Sequence, residues 1–330
     1  MQTRSISRRF RVIWGILGLL ATLCAFSPCF WYPTSLLRRG VLRKTPVAER
    51  TPQNVVNQSF YKHHLLHQEQ QIVVRNSTQA DRLSLQESFG FLQYSDEQWR
   101  RLRVIHAAQS TRQRGDKSRA CNGYYQNNWE PTFSCAFEQR AGSVGDGGKW
   151  VCDAYRIAEM QHCNIVSVGS RDDWSFEEAM HKLNPRCKIF TFDPTTNAHG
   201  KPDFVSFYKI GLGVGGGSLV SLSNMLNVAG LQNSTVDVFK IDCEGCEWSI
   251  WPSFSQVFFR QVLIELHGCA NADAFFEGMA ANGYVIFHKE PNIAWSNGDC
   301  IEYGFLKLAP TFHAASVGGG IGMKIFDGKV

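Results

Sequence analysis

Residues 238–248 read Val238-Phe239-Lys240-Ile241-Asp242-Cys243-Glu244-Gly245-Cys246-Glu247-Trp248. An apolar strand runs into three acids and a glycine, and a helix begins after them. In an open α/β sheet, ligands bind outside the carboxyl ends of the strands, where such a turn lies. Three carboxylates this close repel one another unless water, hydrogen bonds or a ligand compensates them. A helix N-terminus also attracts negative charge, by about 0.3–1 kcal/mol. That accounts for one acid there more readily than for three.

Upstream and downstream of this turn the pattern is regular. Strands are expected at 165–168, 188–192, 205–210, 236–241, 262–266, 284–288 and 302–308. Helices are expected at 174–183, 219–228 and 271–282. Strands alternating with helices imply a doubly wound, mostly parallel sheet. The last two strands are joined by the loop 291–299 and can pair antiparallel. Ser95-Asp96-Glu97-Gln98 has the form of a capping box and starts a helix through about residue 108. Trp248 and Trp251, at helical spacing, are expected in the core.

The 330 residues are 44% hydrophobic, enough for a sizeable core. The net charge of +5 is unevenly placed. Residues 1–48 hold Arg4, Arg8, Arg9, Arg11, Arg38, Arg39, Arg43 and Lys44 with no acid, leaving the rest of the chain at −3. A body of that sign does not suit a phosphate backbone, so no nucleic-acid partner is expected. Residues 12–32 are uncharged and mostly apolar, the length of a bilayer-spanning helix. Cleavage after Ala25 would put Leu23 where a small residue is wanted, which favours a retained anchor over a signal peptide.

The expected organisation is a basic tail (1–11), a transmembrane signal anchor (12–32), a stem (33–93), an irregular, partly helical lead-in (94–148) and a catalytic domain (149–330). This is a single-pass type II membrane protein of the secretory pathway, placed in the Golgi with a lumenal domain, or secreted if residues 12–32 are cleaved. Asn57, Asn76 and Asn233 each head a glycosylation triplet. Eleven cysteines, two of them in the apolar segment, fit an oxidising compartment and leave at least one thiol over. Cys121 and Cys135 are expected to tie the lead-in together. Cys243 and Cys246 are read as disulfide-bonded, locally or at longer range, or as buried thiols.

The chemistry is expected at the strand ends. Gly169, in Val168-Gly169-Ser170-Arg171-Asp172-Asp173-Trp174, allows a ligand close to the backbone. The G-x-G-x-x-G fingerprint is reduced to this one glycine, with acids where others would stand. Those acids repel a pyrophosphate but accept bonds from an ammonium group, and Asp172 or Asp173 can cap the next helix. Asp193 ends the second strand, where an acid accepts bonds from ribose hydroxyls. Asp242, Glu244, Glu265 and His267 converge at one edge. Of these, His267, Glu265 and Asp242 are the candidate bases. The same groups suit a divalent ion, but the sequence calls for no metal site.

These residues resemble the FkbM-type methyltransferases, and more closely their membrane-anchored methyltransferase-like branch. The matching pieces are Gly148-Lys149-Trp150-Val151-Cys152-Asp153, residues 165–177 with Asp173-Trp174-Ser175-Phe176-Glu177, Phe190-Thr191-Phe192-Asp193-Pro194, residues 238–248, and Leu263-Ile264-Glu265-Leu266-His267. The resemblance covers roughly residues 149–307. It implies a Rossmann-like class I methyltransferase fold whose last strand is antiparallel, with S-adenosylmethionine as cofactor. It places Gly169 and its neighbours Asp172, Asp173 and Glu177 by the methionine part, Asp193 at the ribose, and Asp242 and Glu244 along the cofactor or acceptor pocket. The implied acceptor is a hydroxyl on a glycan or small molecule. A lumenal metal-dependent glycosyltransferase, and a non-catalytic protein that kept the fold, are the competing expectations.

Overall fold

The computed structural model describes residues 82–110 and 120–314. The proposed tail and anchor, residues 33–81 of the stem, and the triplets at Asn57 and Asn76 lie outside them. Among the described residues, no helix is long and apolar enough to cross a membrane.

Short elements lead in. Helix α1 (Leu83–Glu87) is followed by α2 (Asp96–Ser110), α3 (Cys121–Asn127), strands β1 (Glu138–Ala141) and β2 (Lys149–Cys152), and α4 (Ala154–Glu159). The capping box at the start of α2 forms as expected. Ser95 Oγ accepts from the Gln98 amide at 3.3 Å, and Gln98 Oε1 accepts from the Ser95 amide at 3.1 Å.

The α/β part then alternates: β3 (Cys163–Val168), α5 (Ser175–Leu183), β4 (Cys187–Phe192), β5 (Val205–Tyr208), the two-residue strands β6 (Gly211–Leu212) and β7 (Leu219–Val220), α6 (Leu222–Val228), β8 (Val236–Ile241), α7 (Glu247–Ile250), β9 (Phe259–His267), α8 (Ala272–Ala281), β10 (Tyr284–Pro291), α9 (Ile293–Ser296), β11 (Cys300–Lys307) and α10 (Pro310–Ala314). The strands expected at 205–210 and 302–308 end earlier, and the helix expected from 219 starts at Leu222 after Ser221 caps it.

Seven strands form the main sheet in the order β10-β11-β9-β8-β3-β4-β5. All run parallel except β11, which is antiparallel to both neighbours. This is the Rossmann-like arrangement expected of a class I methyltransferase. The strand order reverses between β3 and β8, so the ligand crevice opens beyond Val168 and Ile241.

Central parallel strands are covered on both faces and must be apolar on both. In β8 all six residues are buried. Val238 joins the core layer containing Phe176, Met180 and Trp99, while the next residue, Phe239, joins the opposite layer with Met225, Phe254 and Phe275. Trp248 and Trp251 pack edge-on against Phe275, as expected of core residues. The two polar side chains of β8 are satisfied: Asp237 by Arg260 and the Asn164 amide, and Lys240 by the Gly169 carbonyl.

Four disulfides form among the described residues, and Cys300 stays free. The expected Cys121–Cys135 bond does not form. Cys121 pairs with Cys269, Cys135 with Cys152, and Cys163 with Cys187. The reason is sheet geometry: β2 returns antiparallel beneath Cys135, while α3 lies over the end of β9. Cys243 and Cys246 close a local bond.

The layer under β10 and β11 ends in a histidine pair. His106 of α2 lies 5.3 Å, ring to ring, from both Phe312 and His313 of α10. Burial, reinforced by His313, pushes His106 down to about 4, and burial also lowers His313. Unfolded histidine takes up its proton near pH 6.5, so below that pH the unfolded state binds more protons and stability falls. We expect the melting temperature to drop as pH is lowered from about 6.5 toward about 4, and the drop to be smaller in His106→Leu, as calorimetry at stepped pH would show.

Candidate active site

The first turn, between β3 and α5, is built on Gly169. A Cβ there would sit 1.8 Å from the Asp242 carbonyl oxygen, and its φ is +80°, so only glycine fits. The two residues that follow the next serine, Arg171 and Asp172, also take left-handed conformations, at φ 50° and 63°. The chain keeps the glycine-like backbone of a tight ligand turn without the glycines. Such conformations cost about 1–3 kcal/mol each and persist only where the surroundings hold them.

What holds them is Asp193. Its Oδ2 accepts from the amides of Ser170 at 2.9 Å and Arg171 at 2.7 Å, and its Oδ1 from the amide and hydroxyl of Thr195 at 2.8 and 2.6 Å. Burial works to raise the Asp193 carboxyl, but the Thr195 bonds and these amides hold it below the usual range. A carboxylate offers about four lone-pair sites, and these donors, with the Ser170 hydroxyl at 3.5 Å from Oδ2, fill them. Of the closer donors, the Thr195 hydroxyl is the one that can rotate away.

The other first-turn acids separate. Asp172 accepts from the Thr196 hydroxyl, tying the turn to the loop after β4. Asp173 accepts from the Ser175 amide at 2.9 Å, in the turn leading into α5. The N-cap position itself is Trp174, so neither acid caps the helix from that position. Glu177 is fully buried; its Oε1 accepts from Thr191 at 3.1 Å, and its Oε2 has no partner.

Beyond β8 and β9 the structure gathers Asp242, Glu265 and His267 as the sequence expects, with Glu244 at the rim. It adds groups that sequence reasoning missed. The Lys149 ammonium, 1% exposed, lies 2.9 Å from Glu302, 3.4 Å from Asp242 and 3.6 Å from Glu265. Glu302 is reached because β11 pairs it with Glu265 across the antiparallel ladder. Asn292 donates to Glu265 at 3.0 Å. Glu247, wholly buried, accepts from the Cys243 amide at 2.9 Å and faces His267 Nδ1 at 3.2 Å. Lys149 lies in one of the matching motifs, but nothing local marks it: its partners are 93 and 153 residues away.

Burial works to deprotonate Lys149, yet Glu302, Asp242 and Glu265 together raise it instead. Burial works to raise Asp242, but Lys149 and Lys240 hold it below the usual range. Glu265 is pushed up to about 7 by burial and then by the Asp242 charge. For His267, burial is outweighed by Glu247, then Asp242 and Glu265, which lift it to about 9. The result is a charged bed at the switch point, with Asp242 directly beside the Gly169 turn.

A family model described as a methyltransferase domain matches residues 82–307, most of the chain. The chain belongs to that family and is a methyltransferase, which sets aside the glycosyltransferase reading. Comparison with curated proteins finds no match. Solved structures with some likeness include a fibrillarin pre-rRNA processing protein of Methanococcus jannaschii, at 11% identity over 52% of this chain and 83% of that one, with a TM-score of 0.34. An rRNA methylase of Streptococcus thermophilus shows 10% identity over 46% of this chain and 92% of that one, at 0.33. The N-methyltransferase NodS of Bradyrhizobium japonicum shows 12% over 44% and 85%, at 0.28. At such scores these likenesses bear no functional weight.

Removing the Lys149 charge leaves three carboxylates facing one another in a buried site. Lys149→Met should cost about 3–5 kcal/mol of stability, part of it recovered on lowering the pH as Glu265 and Glu302 take up protons; denaturant melts at two pH values would show both effects. Asp193→Ala frees the Ser170 and Arg171 amides and should cost about 2–4 kcal/mol, while Thr195→Val, which removes only the replaceable hydroxyl, should cost about 1 kcal/mol.

Proposed function

We propose that the chain transfers the methyl group of S-adenosylmethionine to a hydroxyl oxygen on a glycan or small molecule of the secretory pathway. The observation that carries this reading is the contact between the Gly169 turn and Asp242, which sets a carboxylate–histidine bed directly against the cofactor turn. The Gly169 turn, Asp193 with the yielding Thr195 hydroxyl, and the partnerless Glu177 oxygen are the groups suited to hold the cofactor. Acid-rich surroundings suit its positive charges. Bound there, it supplies an electrophilic methyl on a sulfonium.

The protein's part is to position the acceptor and accept its proton. An amine acceptor can attack from its neutral form, whereas an alcohol must lose a proton, and this site is built of proton acceptors. Glu265 is the base best placed by its neighbours, since Lys149 and Asn292 orient its two oxygens. His267 has carboxylates facing both ring nitrogens and is held as a cation rather than as an open base. Asp242 orients both. Held by Lys149 and Asn292, Glu265 would take up the proton that the acceptor hydroxyl gives up on transfer.

The basic-flanked segment 12–32, the four disulfides and the exposed Asn233, which heads its triplet in the turn before β8, support a membrane-anchored, lumenal enzyme of the FkbM-type branch. The negative body argues against a nucleic-acid acceptor.

Incubating the full chain with methyl-labelled S-adenosylmethionine and secretory glycoconjugates should give label stable to mild base, as an ether is. Label released by base would mark a carboxyl ester and sink the hydroxyl assignment. Glu265→Gln should lower kcat by about 10²–10⁴ and leave calorimetric cofactor affinity unchanged.

A further inference from the structure

We propose that Asp242, Glu244 and His267 bind a divalent first-row transition-metal ion. His267 Nε2 lies 3.3 Å from Glu244 Oε2 and 3.8 Å from Asp242 Oδ1, and the three ligand atoms all fall within 4.8 Å of one another. Ligands held about 2.1 Å from one ion are spaced roughly 3–4 Å apart, so the three atoms need only small shifts to close on it.

The imidazole is already oriented for this task. Its Nδ1 faces Glu247 Oε1 at 3.2 Å, a carboxylate that is wholly buried, anchored by the Cys243 amide and left with Oε2 unpartnered. A carboxylate behind a ligating histidine sets its tautomer and aims the other nitrogen at the metal. Nε2 is thus directed toward two carboxylates, and a metal ion bound there would replace the proton it carries between them.

Lys149 does not fill that place. Its ammonium takes Asp242 Oδ2 and the Glu265–Glu302 side of the bed, leaving Asp242 Oδ1 turned to His267. Glu244 is held across from the histidine by its backbone. It takes φ 57°, followed by Gly245 at 107°, inside the ring closed by Cys243–Cys246. Its side chain is 77% exposed, so the far side of the ion would stay open to water or an acceptor oxygen. One imidazole with two carboxylates matches first-row ions with open positions, whereas calcium takes six to eight oxygens. The site is built from this chain's side chains and does not depend on which acceptor is methylated.

The test is titration of the full chain, stripped with EDTA and dialysed, with Mn²⁺ alone, followed by calorimetry and pulsed electron paramagnetic resonance. One Mn²⁺ per chain with a nitrogen coupling from imidazole is expected, uncompeted by equimolar Ca²⁺. Glu244→Gln, exposed and harmless to folding, and His267→Gln should each weaken binding by at least about tenfold, and the latter should abolish the nitrogen coupling. Glu247→Gln should weaken it by about 10–100-fold. Glu97→Gln, on the far helix α2, should match the unaltered chain. Absence of saturable Mn²⁺ binding in a chain that melts cooperatively overturns the proposal, as does binding that Glu244→Gln and His267→Gln leave unchanged. S-adenosylmethionine binding measured on the same sample separates this outcome from failure of the methyl-transfer reading.

Discussion

One buried ammonium makes the switch point possible. Carboxylates from β8, β9 and β11 meet within reach of Lys149, and without it Asp242, Glu265 and Glu302 would repel in a medium that screens poorly. Desolvating such a group is expensive, and three partners are needed to keep it charged. The lysine enters from β2, outside the main sheet, so a strand apart from that sheet completes the site. The Cys135–Cys152 bond and the Gln261 bonds to the Cys152 backbone fasten that strand where the ammonium is needed.

Asp242 divides its two oxygens between two cations. Oδ2 belongs to Lys149 and the structural side; Oδ1 belongs to His267 and the open side. Its backbone carbonyl also abuts Gly169, so the Gly169 turn, the carboxylate cluster and the histidine meet at one residue. Asp193 plays the matching role for the first turn, consuming two amides that a glycine-rich loop would have left free. The acid expected to serve a ligand therefore serves the fold.

The sheet was legible in the chain because its strands are short apolar runs ended by turn residues, and the parallel center demands apolarity on both faces. The switch-point acids were legible because strand ends carry them in sequence order. Glu265 and His267 share one strand end, and Asp242 and Glu244 share one turn. Lys149, Glu302 and Asn292 were not, since each lies in a segment whose local pattern says only strand or loop. The expected Cys121–Cys135 pairing failed for the same reason: proximity along the chain is a poor guide where antiparallel return and helix packing choose the neighbours.

The amino-acid sequence alone determined the alternating strands and helices, the reduced glycine turn and the acids at the strand ends, because periodicity and turn chemistry act over a few residues. Only the tertiary structure decided the disulfide partners, the left-handed backbone at Arg171 and Asp172, the saturation of Asp193, and the single ammonium shared by three carboxylates. Those depend on which strands lie side by side, and the free energy of a buried charge is set by neighbours in space.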